Sequence, residues 1–118
     1  MITKHEVETF LKEFKEKKKF FSIFYRDDRG KNSQTLADLE LRPIDRDKII
    51  ENLKVEDYSE GPLEETLYKG SDMWVFGKEV KKNEIYIKIS IGYINAGVIC
   101  ISFHIAERKM NYPFKTPK

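Results

Sequence analysis

Two runs near the C-terminus, EIYIKISIGY (84–93) and GVICISFHI (97–105), alternate apolar and polar side chains residue by residue. A period of two is that of a half-buried β-strand, and it constrains this chain more than any other feature. In the first run Ile85, Ile87, Ile89 and Ile91 share one face, while Glu84, Tyr86, Lys88 and Ser90 share the other. In the second, Ile99, Ile101, Phe103 and Ile105 take the apolar face and Val98, Cys100, Ser102 and His104 the opposite one. A third strand-like run, MWVFGKEV (73–80), lies just upstream, and KKN and a turn around Asn95 connect the three. Connections this short predict an antiparallel meander with one apolar and one polar face.

The polar face carries chemistry-bearing residues, and register decides whether they meet. For the apolar faces to coincide, the loop between the last two strands must hold an odd number of residues. Three residues in that loop set Lys88 opposite His104, and five set Tyr86 opposite His104; direct cross-strand neighbours lie about 5 Å apart. Either register groups Tyr86, Lys88 and His104. In the preceding strand Trp74, Phe76 and Lys78 share a face, which brings Lys78 to the same surface if Trp74 covers its edge.

The N-terminal half reads differently. From residue 3 to about 18, Val7, Phe10, Leu11 and Phe14 recur at helical spacing, Thr3 and Glu6 form a capping-box pattern, and lysines gather in the last turn. FFSIFYR (20–26) reads as a short strand and DDRGKN (27–32) as a turn. SQTLADLEL (33–41) predicts a short helix capped near Asn32 or Ser33 and ended before Pro43. A further helix follows, capped by Asp45, with Ile49, Ile50 and Leu53 as its apolar stripe. VEDYSEGPLEETLYKGSD (55–72) lacks a clean period and reads as a long loop. The expected fold is therefore α+β: N-terminal helices packed on an antiparallel sheet with a C-terminal β-meander.

Composition narrows the class. At 118 residues and 40% hydrophobic, the chain suits one domain spanning 1–118 with its own core. No apolar run approaches the roughly 20 residues that span a bilayer, and MITKHEVETF lacks a signal-peptide core, so the expected location is cytoplasmic, away from the membrane. One cysteine, Cys100, excludes an intramolecular disulfide and offers no metal-type cluster. Gly61, Gly70 and Gly77 match neither the P-loop nor the dinucleotide spacing, so no cofactor is expected. His5 reads as an exposed helix residue, and Cys100 and His104, four apart on one strand, lie roughly 13 Å apart, beyond contact. The net charge of +2 is permissive of nucleic acid; the basic run KEKKK (15–19) suits either a solvated helix face or a polyanion-steering patch.

A tyrosine, a histidine and one or two lysines on a sheet face suit metal-independent cleavage of RNA. There the ribose 2′-hydroxyl attacks the adjacent phosphate, a base removes its proton, a cation stabilises the added charge, and an acid protonates the leaving 5′-oxygen. Histidine serves as acid or base near neutral pH, and lysine binds phosphate as a point charge. The same face also suits a solvent-facing or helix-covered sheet with no chemistry.

The runs IIENLKVEDYSEGP, DMWVFGKEV, EIYIKISI and CISFH, in that order, resemble the MqsR family of toxins from bacterial type II toxin-antitoxin pairs, part of the wider RelE-like group of ribonucleases. The resemblance covers roughly residues 10 to 115. It implies a small RelE-like α+β domain that acts as an mRNA endonuclease without a metal and is neutralised by a cognate antitoxin; the ribosome is a further possible partner. In the match Tyr86 and Lys88 fall on the family's Y-x-K strand motif, and His104 stands where the best-described members have a lysine after Ser-Phe. Glu60 and Val75 stand where those members have a catalytic lysine and a glutamine. The expected roles are then Tyr86 orienting or activating the 2′-hydroxyl, His104 as general acid or base, and Lys88, Lys78 and Arg108 supplying positive charge, with Trp74 as a base-stacking surface or a core residue. From the residues alone, a non-catalytic protein-binding module using the acidic segment 56–65 and a sheet edge, or a structural domain of a larger assembly, are the competing readings.

Overall fold

The computed structural model describes residues 2–27, 30–65 and 70–115. Three helices, α1 (Lys4–Phe20), α2 (Gly30–Asp38) and α3 (Pro43–Glu51), accompany five strands, β1 (Ile23–Tyr25), β2 (Tyr58–Leu63), β3 (Met73–Val80), β4 (Asn83–Ser90) and β5 (Val98–Ile105). The strands form one sheet in the order β1-β5-β4-β3-β2. The class is α+β, as the sequence indicates, but the sheet is mixed: β2 to β5 form the antiparallel meander, and β1 pairs with β5 in parallel. A parallel neighbour requires a long crossover, and α2, α3 and β2 to β4 lie between β1 and β5 in the chain.

α1 begins where the sequence indicates. Thr3 Oγ1 accepts from the Glu6 amide and Glu6 Oε1 from the Thr3 amide, each at 3.2 Å, so two helix-end donors are satisfied. Its buried stripe, Val7, Phe10, Leu11 and Phe14, packs in one cluster with Phe76, Ile85, Ile87, Ile89 and Phe103. Each such side chain contributes about 1.5–3 kcal/mol on burial, which holds the helix to the sheet. The lysines of KEKKK are largely engaged by the fold: Lys15 Nζ donates to the Leu53 carbonyl at 2.6 Å, Lys17 Nζ to those of Ile91 and Tyr93, and Lys18 pairs with Glu51.

Three boundaries differ from the sequence reading. The segment 55–72 is not one loop: a single 3-10 turn at Val55–Asp57 leads into β2, an edge strand that register shifts make irregular enough to hide its period. Residues 66–69 of that segment, like 28 and 29 of the turn before α2, lie outside the described residues. α3 starts at Pro43 with Arg42 as its N-cap; Asp45 is the third helical residue and accepts from the Arg42 amide at 2.9 Å, because proline at the first helical position needs no donor partner. α2 already runs from Gly30, so Asn32 is no cap. Its side chain is buried and pairs with β5 instead, donating to the Ile101 carbonyl at 3.1 Å and accepting from the Phe103 amide at 3.0 Å. Thr35 Oγ1 accepts from the Ile105 amide. Beyond the end of β1, two helix side chains thus satisfy the edge of β5.

The alternation in β5 is broken once. Lys88 pairs with Ser102 but Ile89 with Cys100, so Ile101 is an extra residue, a β-bulge. Past the bulge, Phe103 and Ile105 face α1 as the pattern indicates. Before it the faces exchange: Val98 and Cys100 join the core cluster and Ile99 turns to the other side. Cys100 and His104 therefore lie on opposite faces, correcting the reading of a shared one. The bulge also lets residues 91–97 bridge the strands while Tyr86 stays opposite His104, the pairing of the five-residue alternative.

Candidate active site

On the sheet face away from α1, cross-strand pairing lays out two rungs. One runs Glu60, Val75, Lys88, Ser102 across β2 to β5; the next runs Gly77, Tyr86, His104 across β3 to β5. β3 contributes a valine and a glycine, so the floor is low between the side chains of β2 and those of β4 and β5. The result is an open depression of about 730 Å³ lined by Glu60, Tyr86, Lys88, Ser102, His104 and Arg108.

The two rings of the second rung stack. Tyr86 and His104 have centroids 5.2 Å apart and planes 11° from parallel, as direct antiparallel neighbours can. The Lys88 ammonium lies 5.8 Å from the Tyr86 ring centroid. His104 Nδ1 lies 3.0 Å from the Ile105 carbonyl oxygen. A carbonyl only accepts, so that contact assigns the proton to Nδ1 and leaves Nε2 as the accepting nitrogen of the neutral ring. Burial, and then the Glu60 carboxylate, push the Tyr86 phenol above its usual value. Near neutral pH that hydroxyl is protonated and acts as a hydrogen-bond donor.

The outer wall is the segment after β5, and Glu84 holds it. Its backbone carbonyl accepts from the Ala106 amide at 2.8 Å, and its carboxylate accepts from the Met110 amide at 3.1 Å and the Tyr112 hydroxyl at 2.7 Å. These contacts anchor the segment that carries Arg108, which lines the depression. Glu107, on the same segment, is held by Lys31 at 2.6 Å, which lowers its carboxyl below the usual range. The tyrosine needs Gly77: a Cβ there would lie 2.1 Å from the Tyr112 hydroxyl oxygen. A glycine inside the strand run MWVFGKEV was the sequence signal for this close approach. No comparable local signal marked Glu84 as the anchor.

Four of the six residues singled out from sequence, Tyr86, Lys88, His104 and Arg108, thus converge. Trp74 and Lys78 do not join them. Their partners Ile89 and Ile85 face the core, and parity carries both to the α1 side. Trp74 stacks on Phe10 at 4.7 Å, and Lys78 forms a 3.0 Å ion pair with Asp57. Trp74 is thereby a core-packing residue, as one of its two readings had it, and the shared surface with Lys78 is corrected. Among the described residues no three His, Cys, Asp or Glu side chains gather as a metal site, and no helix is long and apolar enough to cross a membrane.

These features define an α+β domain with one helix-covered sheet face and one open, polar, cation-bearing face. No family model matches the chain, and no curated protein or solved structure matches it either.

Proposed function

We propose that this chain is an endoribonuclease that cleaves messenger RNA by attack of the 2′-hydroxyl on the adjacent phosphate, with no metal in the reaction, and that it acts as the toxin of a type II toxin-antitoxin pair of the MqsR and RelE-like kind. The observation that carries the reading is the convergence of Tyr86, His104, Lys88 and Arg108 on one open depression. Lys88 and Arg108 bind the phosphate and stabilise the charge that builds on its oxygens. The Tyr86 hydroxyl orients the reacting ribose, and its ring fixes the His104 imidazole by stacking. His104 moves a proton through Nε2. In this reading the domain works in the cytoplasm, alone or on the ribosome, and a cognate antitoxin blocks it.

The direct test is cleavage of a defined mRNA in excess EDTA. The wild type leaves a 2′,3′-cyclic phosphate, and His104→Ala loses about 10²–10⁴-fold in rate with an unchanged circular dichroism spectrum. Equal cleavage by both proteins removes His104 from the reaction. No cleavage by the wild type, with or without ribosomes, removes the activity itself. A protein-binding module is then the second reading, favoured by the outer position of β2 in the sheet and by the exposed Phe20 and Ile94, 83% and 90% accessible. Growth arrest on expression, relieved by a neighbouring gene, supports the toxin; harmless expression supports the module.

A further inference from the structure

The α1 side of the sheet is not closed along its whole length. Where α1 passes the start of β3 and the end of β4, two hollows of about 490 Å³ each share Glu13, Ser71 and Ile91 and form one groove. Its lining is apolar in the middle and at one end. Trp74 and Ile91 are half-buried in it, while Phe20 and Ile94 stand out at the end, 83% and 90% accessible. Single exposed apolar side chains are ordinary, but a row of them along a groove marks a docking surface.

The row is held in place by the fold. Lys17 Nζ donates to the Ile91 and Tyr93 carbonyls at 2.6 and 2.7 Å, Ser71 Oγ donates to the Gly92 carbonyl at 2.7 Å, and the Ala96 amide closes a turn on the Tyr93 carbonyl at 3.3 Å. The connection from β4 to β5 thus presents Ile94 from a fixed turn, and little ordering remains to be done on binding.

The rim is acidic. Glu13 and Glu16 along α1 and Asp72 before β3 are exposed, and among the described residues their carboxylates have no hydrogen-bond or ion-pair partner. Lys17 is the only lysine or arginine in the lining, and its ammonium is occupied by the two carbonyls. The groove is therefore negative on a chain whose net charge is +2. It repels a polyanion and attracts a cationic partner.

We infer that this groove docks a basic amphipathic helix of another protein, its apolar stripe lying on Trp74, Ile91, Phe20 and Ile94 and its lysines or arginines meeting Glu13, Glu16 and Asp72. The strands that reach the groove, β3 and β4, are inner strands paired on both sides, so no sheet edge is there for an added strand to extend. A partner segment must then satisfy its own backbone, as a helix does. From Glu6 to Phe20 the wall formed by α1 is about 21 Å long, the length of a helix of about four turns. The groove shares no lining residue with the depression on the other face, so the partner leaves that depression open, and the inference does not depend on the nuclease reading.

The chain's one tryptophan, Trp74, lies in the groove and serves as the reporter. The probes are two tryptophan-free synthetic helices of about 16 residues with the same leucine stripe, one carrying lysines on its other positions and the other glutamates. Titration of the lysine helix shifts Trp74 emission to shorter wavelength and protects it from iodide, and added salt weakens the effect; the glutamate helix does neither. The double variant Glu13→Lys, Glu16→Lys and the single variant Ile94→Ser, all at exposed positions, each weaken binding of the lysine helix about tenfold or more with an unchanged circular dichroism spectrum. Equal binding of both helices, or binding of neither, overturns the proposal. So does a lysine helix whose affinity is untouched by either variant, since it then binds elsewhere. A dimer of the protein seen in sedimentation and dissolved by Ile94→Ser overturns it as well, by showing that the groove holds a second copy of this chain.

Discussion

The two faces of β3, β4 and β5 are built from alternate residues of the same twenty-odd positions, yet they are made for different ends. The α1 side is closed by Val7, Phe10, Leu11 and Phe14, and Phe76, Ile85, Ile87 and Ile89 beneath them are fully buried. The other side keeps Tyr86, Lys88 and His104 partly accessible on a floor lowered by Val75 and Gly77. Stability is concentrated on one side and reactive groups on the other, so a change on either side alters mainly one property. Lys78 makes the point: a lysine one residue from the polar set in strand order belongs to the covered side, and there it pairs with Asp57 instead of lining the open depression.

The division is open to attack by substitution. Phe76→Ala, which removes a fully buried ring from the covered side, should lower the unfolding free energy by about 3–5 kcal/mol in a urea titration. Any activity left per folded molecule should be unchanged. Gly77→Ala strikes the open side by displacing Tyr112, with an expected loss of about 1–3 kcal/mol and a weaker hold on Arg108. Reduced RNA affinity with an intact core, read from near-ultraviolet circular dichroism, is the outcome that matches the division.

A third prediction uses pH. Burial pushes the Cys100 thiol from 9.0 up to about 12, because the bulge at Ile101 turns it into the core. The unfolded chain releases that proton first. The contribution is therefore complete below pH 9 and lost as pH rises toward 12, at up to about 1.4 kcal/mol per pH unit. Cys100→Ala should flatten the alkaline fall in urea midpoint, and an equally steep fall in the variant would place the thiol on the open side. The smallest effect belongs to Lys78→Ala. Losing a partly exposed ion pair should cost at most about 1 kcal/mol and leave cleavage unchanged. A marked loss of cleavage would mean that the covered side also serves the substrate.

Much of this arrangement was legible in the chain. The capping box at Thr3 and Glu6, the stripe of α1 and the strand runs of β3, β4 and β5 all depend on neighbours a few residues apart, and all three strands fall where their runs lie. The grouping of Tyr86, Lys88 and His104 was legible for the same reason, since two alternating strands and a short connection restrict the register to few choices. Trp74 and Lys78 were misplaced because nothing in the sequence of β3 says which of its two half-apolar faces meets α1. Its even positions hold Trp74 and Phe76, and its odd positions hold Met73, Val75 and Gly77, so neither set is polar throughout. β2 was hidden for a different reason. Its pairing with β3 shifts register twice and runs through Gly61 and Pro62, so the period of two never appears.

The sequence by itself determined the elements whose physics is local: which segments coil, which extend, and which side chains share a face over a few residues. Tertiary structure alone decided the parallel seat of β1 beside β5, the bulge that turns Cys100 inward, the anchoring by Glu84 of the segment that follows β5, and the placing of Glu60 and His104 around one depression. Each of these joins residues far apart in the chain. Such contacts follow from which surfaces bury best together, a property of the whole packed domain that no short window of sequence contains.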